Sequence, residues 1–197
     1  MEEPVIEQPC PPPAQGEQEH LSLALANSAI ALVGGHTVDL LGTPAQANHW
    51  LTERGLAPAD AGMREMCATQ LRSLREQIRS LFASRAEGLP ALPTAVRAIN
   101  EAMTRVPTAP LLQWDDKTGP YRATLHPTTA ILDHALATLA TDASDLLTGP
   151  DADRLSACGS APCNRYLLRY GRRQWCSTRC GDRARAARAY ARRSTSP

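Results

Sequence analysis

Four of the six cysteines in this 197-residue chain fall within 23 residues, in the pattern C-x4-C-x12-C-x3-C formed by Cys158, Cys163, Cys176 and Cys180. Two close pairs of thiolates have the chemistry of a structural zinc site, in which Zn2+ takes four sulfurs at about 2.3 Å with tetrahedral angles. Gly159, Ser160, Ala161 and Pro162 supply the small residues and the proline of a tight loop between the first pair. Cys176 and Cys180 are four apart, so both sulfurs share one face if the second pair opens a helix. A closed set of four thiolates cross-links the chain and performs no reaction of its own. A unit of roughly 40 residues is too small to fold on apolar burial alone, so metal binding and folding should be coupled. Trp175 and Tyr166 are expected to cover the metal. Free thiols or disulfides are the competing reading, and a reducing cytoplasm disfavours them.

The second chemical signal is arginine. Residues 151–197 carry 11 Arg, no Lys and 3 Asp, a net +8, whereas residues 1–150 carry 10 Lys/Arg against 17 Asp/Glu, a net −7. A formal charge of +1 for the whole chain therefore conceals a basic C-terminal part on an acidic body. That asymmetry is the footprint of contact with a polyanion. Ala and Arg favour helix, and no Gly or Pro follows Gly181 until Pro197, so Ser177 to Arg193 reads as helical. At about 100° per residue, Arg185, Arg188 and Arg192 share one face, and Ala184, Ala187 and Ala191 form a small-residue face able to pack on the module. Arg179 and Arg183 lie together at the metal end, on the side that Tyr190 also faces. Arg172 and Arg173 approach from the preceding loop, and Arg193 closes the run. These eight arginines are the candidate contacts to DNA, through phosphates and guanine edges that the guanidinium fork can bind bidentately. Arg183 could equally brace the metal loop. A solvated basic surface, or a helix held against the acidic body, is the competing reading.

The elements that must position this module read as mainly helical. Residues 1–19 are rich in Pro, Glu and Gln and are expected to be a solvated tail, with Cys10 an incidental thiol. Leu21, Leu23 and Leu25 recur at every second position, the period of a half-buried strand. Leu111–Trp114 and Tyr121–Leu125 flank Asp115-Asp116-Lys117-Thr118-Gly119-Pro120, a hairpin signal, and the three segments together would make a small antiparallel sheet. Between them, Thr43-Pro44 caps a short helix through Trp50. A longer helix over about 59–86 carries Met63, Met66, Cys67, Leu71, Leu74, Ile78, Leu81 and Phe82 opposite Arg64, Arg72, Arg75, Glu76 and Arg79. Helices over about 94–105 and 127–147 follow, the last ending at Gly149-Pro150. The expected fold class is α+β, mainly α: a helical body over 20–150 with a three-stranded antiparallel sheet, then a four-cysteine finger over 151–197 ending in a basic helix.

Composition also bounds function. No run of about 18 apolar residues offers a membrane span, and Met1-Glu2-Glu3-Pro4 is acidic where a secretory signal is basic, so a cytoplasmic protein without membrane contact is expected. His20, His36, His49, His126 and His134 show no ligand or triad spacing, and Gly34-Gly35-His36 lacks the context of a phosphate loop. No enzyme is expected.

The run Arg172-Arg173-Gln174-Trp175-Cys176-Ser177-Thr178-Arg179-Cys180-Gly181-Asp182-Arg183 resembles the CGNR-type zinc finger, with Asp182 in the place of Asn and Gln174 between the arginines and the tryptophan. Its second cysteine pair is one residue shorter than is usual there, and Tyr166-Leu167-Leu168-Arg169-Tyr170 departs from the Phe-Leu-Asp-x-Ser-Arg-like segment. Such fingers follow an ABATE domain. Leu21-Ser22-Leu23-Ala24-Leu25-Ala26-Asn27-Ser28 is similar to its opening Leu-x-Leu-Asp-x-x-Asn-Thr strand, and Trp50-Leu51 with Gly55-Leu56 resembles its early helix. The resemblance implies a bacterial-type, stress-related transcription regulator: the finger contacts DNA, and the body senses a small-molecule effector or forms a homodimer. A protein-interaction or small-molecule-binding protein stapled by zinc is the alternative.

Overall fold

The computed structural model describes residues 11–106, 111–123 and 130–194. In chain order these form α1 (Leu21–Ala26), β1 (Ala29–Ala31), β2 (Thr37–Asp39), α2 (Pro44–Glu53), α3 (Glu65–Glu87), α4 (Pro93–Thr104), β3 (Leu111–Asp115), β4 (Gly119–Ala123), α5 (Ile131–Thr148), β5 (Leu155–Ala157), β6 (Tyr166–Leu168) and α6 (Thr178–Ser194), with one 3-10 turn at Ala152–Arg154. The class is the expected mainly helical α+β. The sheet is not: three separate antiparallel pairs form, β1 with β2, β3 with β4 and β5 with β6. The remaining expected hairpin and helix positions at 124–129, with His126, lie outside the described residues, as does Cys10.

The helices follow from local chemistry. Thr43 Oγ1 accepts the Gln46 amide at 3.2 Å while Gln46 Oε1 accepts the Thr43 amide at 3.0 Å, a reciprocal capping box ahead of Pro44. Gly88 takes φ 66° and ends α3 in a left-handed cap. In the α3 stripe, Ala68, Leu71, Leu74, Ile78, Leu81 and Phe82 are buried, whereas Met66 lies 68% exposed before the stripe engages. Of α4, Ala95, Ile99 and Ala102 face the core, and Val96 is turned out.

Residues 21–26 are a helix rather than the expected strand. The Leu alternation misleads because the intervening Ser22, Ala24 and Ala26 are buried too. A segment apolar on all sides is a central helix, and Leu and Ala both favour one. It packs against α3, α5 and β6. The strand comes directly after it, at β1, returning through Gly34-Gly35 to β2.

Arg75, expected on the solvent face of α3, is only 5% exposed. Its Nη1 donates to Asp39 Oδ1 at 2.6 Å and to Ser28 Oγ at 3.1 Å, and its Nη2 to Asp39 Oδ2 at 2.9 Å. This bidentate pair pins the β1–β2 hairpin to α3. Burial by itself would raise the Asp39 carboxyl, but the Arg75 fork and the Leu41 amide outweigh it, and the carboxyl is held below its usual range.

The cysteine-bearing part is built into the body. Leu155, Tyr166 and Leu168 belong to the same core as Leu23, Leu71, Phe82 and Leu139. The Tyr166 ring meets Phe82 edge-on at 5.7 Å and lies under the Arg79 guanidinium at 5.3 Å. Two asparagines bridge the parts by imitating a strand partner. Asn27 Oδ1 accepts the Tyr166 amide at 2.7 Å while its Nδ2 donates to Tyr166 O at 2.9 Å. Asn164 reciprocates, accepting the Ala31 amide at 2.9 Å and donating to Ala29 O at 3.1 Å. Arg79 adds bonds to Ala26 O and Asn164 O.

Residues 14–19 also depart from the solvated tail expected of them. The Leu168 amide bonds Gln15 O at 2.8 Å, and Ala14 is 3% exposed. Gly16, at φ 96°, lies where a Cβ would come within 2.6 Å of Leu168 and 2.9 Å of Leu23, so only glycine permits this close approach.

Candidate metal centre and basic helix

β5 and β6 are a two-stranded ribbon whose turn holds the first cysteine pair. The Cys158 amide bonds Arg165 O at 2.8 Å, and the Cys163 amide bonds Ser160 O at 2.8 Å. The period of two along β6 divides its side chains: Tyr166 and Leu168 enter the body core, and Leu167 faces the sulfurs. The four cysteines are therefore covered by Leu167, Ala14 and Trp175; Tyr166, expected in that role, points the other way. The second pair opens α6, where Ser177 Oγ accepts the Cys180 amide at 3.2 Å and caps the first turn.

The four sulfurs of Cys158, Cys163, Cys176 and Cys180 lie within 4.8 Å of one another. Cys163 Sγ and Cys176 Sγ are 3.6 Å apart, as are Cys176 Sγ and Cys180 Sγ. Sulfurs at about 2.3 Å from a tetrahedral zinc would be about 3.8 Å apart, so the cage has the size of the ion. None of the described cysteines is in a disulfide. Crowding sets the thiols against one another. Cys158, accepting hydrogen bonds from Cys163 and Cys176, is held at about 2, whereas Cys163, donating to Cys158, is pushed up to about 11, and Cys176 is raised for the same reason. A divalent cation removes that conflict, because it lets all four sulfurs be thiolates.

Four thiolates around one divalent ion leave two negative charges, and two arginines are in place for them. Arg183 Nη2 donates to Cys180 Sγ at 3.2 Å and to Ser160 O at 3.2 Å, while its Nε donates to Ser160 Oγ at 3.1 Å. Arg165, 3% exposed, reaches Cys176 Sγ from Nη1 at 3.9 Å and Glu17 Oε1 from Nη2 at 2.7 Å. Of the two roles open to Arg183, the geometry favours bracing the knuckle. Arg165 and Asn164 carry no sequence signal beyond two polar residues wedged between Cys163 and an apolar triplet.

The other arginines divide by what holds them. Arg185 and Arg188 place their guanidiniums over the Trp175 ring, 5.6 and 5.5 Å from its centroid, and Arg185 Nη2 also bonds Asp182 Oδ1 at 2.6 Å. Gly181 makes this possible: a Cβ there would meet Trp175 Cε3 at 3.2 Å and Arg185 Nη1 at 3.3 Å. Arg173 Nε donates to Trp175 O at 3.1 Å. Arg172, Arg179, Arg192 and Arg193 are exposed. Ala187 and Ala191, expected to pack, are exposed as well, and from Arg185 to Arg193 only Ala189 is even half-buried. The rear of α6 is therefore largely exposed.

This geometry agrees with the comparisons. Residues 19–150 match the ABATE family, described as "Putative stress-induced transcription regulator". The chain belongs to that family. Residues 154–193 match the CGNR zinc finger, so the ABATE body is followed by a finger whose four cysteines form a Zn2+ site. No curated protein matched. In this ABATE chain the Cys-Gly-Asp-Arg tetrapeptide reads physically as one ligand, the seat of an indole, a partner for Arg185 and the brace of the knuckle. Among the described residues no helix is long and apolar enough to cross a membrane.

Proposed function

We propose that the protein is a zinc-dependent, DNA-binding transcription regulator of the cytoplasm, in which the four-cysteine centre fixes α6 to the body and presents its arginines to DNA. The observation that carries this reading is the projecting half of α6. It is a single helix, narrow enough for a major groove, and from Arg185 to Arg193 it carries four arginines and no acid. An exposed helix of this charge buries little apolar surface, and phosphate is the partner that its charge and shape fit.

The acidic body is the regulatory part. A cleft of about 620 Å³ lies between α2 and the segment before α1, with Trp50, Arg54, Asn27 and Arg165 in its walls, and we place a small effector there. Pairing of two copies would double the contact to DNA. The protein acts by binding, not by catalysis. His20 lies between Asp142 and Asp151, 3.6 and 3.7 Å away, and His49 meets Glu53 at 3.3 Å on the surface, pairings that suit ordinary structural histidines.

A mobility-shift titration of the zinc-loaded protein with duplex DNA tests the reading. The binding constant should fall with a slope of about 0.9 in log–log salt for each neutralised phosphate. Absence of salt-sensitive binding to any nucleic acid would overturn it.

A further inference from the structure

Resting on that DNA reading, we propose a division of labour among the arginines. Arg185 and Arg188 are the sequence-reading pair, with Trp175 as their positioning residue, while Arg172, Arg179 and Arg193 bind phosphate and carry no sequence information.

The two tasks make different physical demands. Neutralising a phosphate needs only a charge within reach, and a loosely held side chain serves it well. Reading a base edge needs a fork held in a fixed plane and direction, because both hydrogen bonds must form together. Arg185 and Arg188 are exposed candidate contacts held in that way. Their guanidiniums lie over one indole, at 5.6 and 5.5 Å. Arg185 is fixed further by Asp182 at 2.6 Å, and Arg188 Nε by the Ala184 carbonyl at 3.3 Å. Trp175 is itself half-buried against the cysteine cluster and packed close to Gly181. A chain of contacts thus runs from the cysteine cluster through the indole to the two forks.

The electrostatics point the same way. Two cations gathered on one ring repel each other, and Asp182 offsets only part of that charge. An electronegative partner presenting two acceptors, such as the O6 and N7 edge of guanine, would relieve it. Arg172, Arg179 and Arg193 are exposed and stack on no ring among the described residues, at the flank of the module and the end of the helix, where a duplex backbone would pass on either side of an inserted α6.

The test separates charge from geometry. The wild-type protein is used to select bound duplexes from a random pool. Affinity for the selected site and for unselected duplex is then measured against salt for R185K/R188K, R172A/R179A and R172K/R179K, with zinc content checked for each. The R185K/R188K protein keeps its charge, so its salt slope should hold while its preference for the selected site falls by about tenfold or more. The R172A/R179A protein should lose about 0.9 of slope per residue removed and keep its preference, and R172K/R179K should match wild type in both. W175F, which retains an apolar ring against the cysteines, should lower the preference without changing the slope, as should G181A. Selection of no preferred sequence, an unchanged preference in R185K/R188K, or an equal loss in R172K/R179K would overturn the division of labour while leaving DNA binding intact. Failure of the wild type to bind any duplex would overturn the DNA reading itself.

Discussion

At the scale of single residues, arginine does three unlike jobs here. Arg75 is a buried structural fork, Arg165 and Arg183 compensate thiolate charge, and the other arginines of α6 are exposed. Each job has its own signature. Removing Arg183 takes three hydrogen bonds from the knuckle and the cation nearest to Cys180. The Arg183→Ala protein should therefore hold zinc about 10- to 100-fold more weakly in a chelator competition, whereas Arg192→Ala should not change it. Asp39 gives a pH signature. Its carboxyl is lowered in the folded state, so its pairing stabilises the protein above the ordinary carboxylate range and is lost as pH falls through the folded value. Wild type should thus lose stability on acidification more steeply than Asp39→Asn, which starts less stable at neutral pH and has no charge to lose. Parallel acid titrations followed by circular dichroism check the sign.

At the scale of elements, what could be read from the chain depended on whether the signal was local. The Thr43-Pro44 cap, the α3 stripe from Leu71 to Phe82, the turn after Asp115 and the clustering of the cysteine pairs are local chemistry and match the structure, although α3 begins at Glu65 and not near 59. Errors arose where the environment decides. Leu21-Ser22-Leu23 alternates in size but not in burial, so the strand period was an illusion of side-chain volume. Arg75 and Arg79 sit on the polar side of a helical wheel that the finger and the β1–β2 hairpin later cover. Ala187 and Ala191 have the spacing of a packing face, yet both are exposed. That last point gives a prediction. Glycine in place of Ala187 or Ala191 should fray the end of α6, at about 1 kcal/mol each in local helix stability, and leave global melting unchanged. Hydrogen exchange over 186–194 should speed up while exchange in α3 and α5 does not. A drop in the global transition would instead show that the helix end packs on the body.

At the scale of the whole molecule, the finger is a wall of the body rather than a bead on a string. Leu155, Tyr166 and Leu168 complete the body's core, the Asn27 and Asn164 clamps tie backbone to backbone, and Glu17 with Ala14 closes the far side over the cysteines. The metal holds the turn between β5 and β6, so it also holds the strand carrying Tyr166 and Leu168 against Phe82 and Leu23. Removing zinc exposes Arg165 to a set of protonated thiols and frees the turn. The ribbon must then keep its place in the core by its own few hydrogen bonds. The body should therefore sense the metal. Zinc-loaded protein should melt in one transition, monitored together by Trp50 and Trp114 in the body and Trp175 in the finger. Chelation should lower that single transition by an amount set by ligand linkage, about 4 kcal/mol when free zinc stands near a thousand times its dissociation constant. Asn27→Ala should mimic part of this with zinc still bound, at about 2–3 kcal/mol, because it leaves the buried amide and carbonyl of Tyr166 unpaired. Two separate transitions, with the body's unmoved by chelation, would mean that the finger folds and unfolds alone and that the clamps transmit nothing between metal and core.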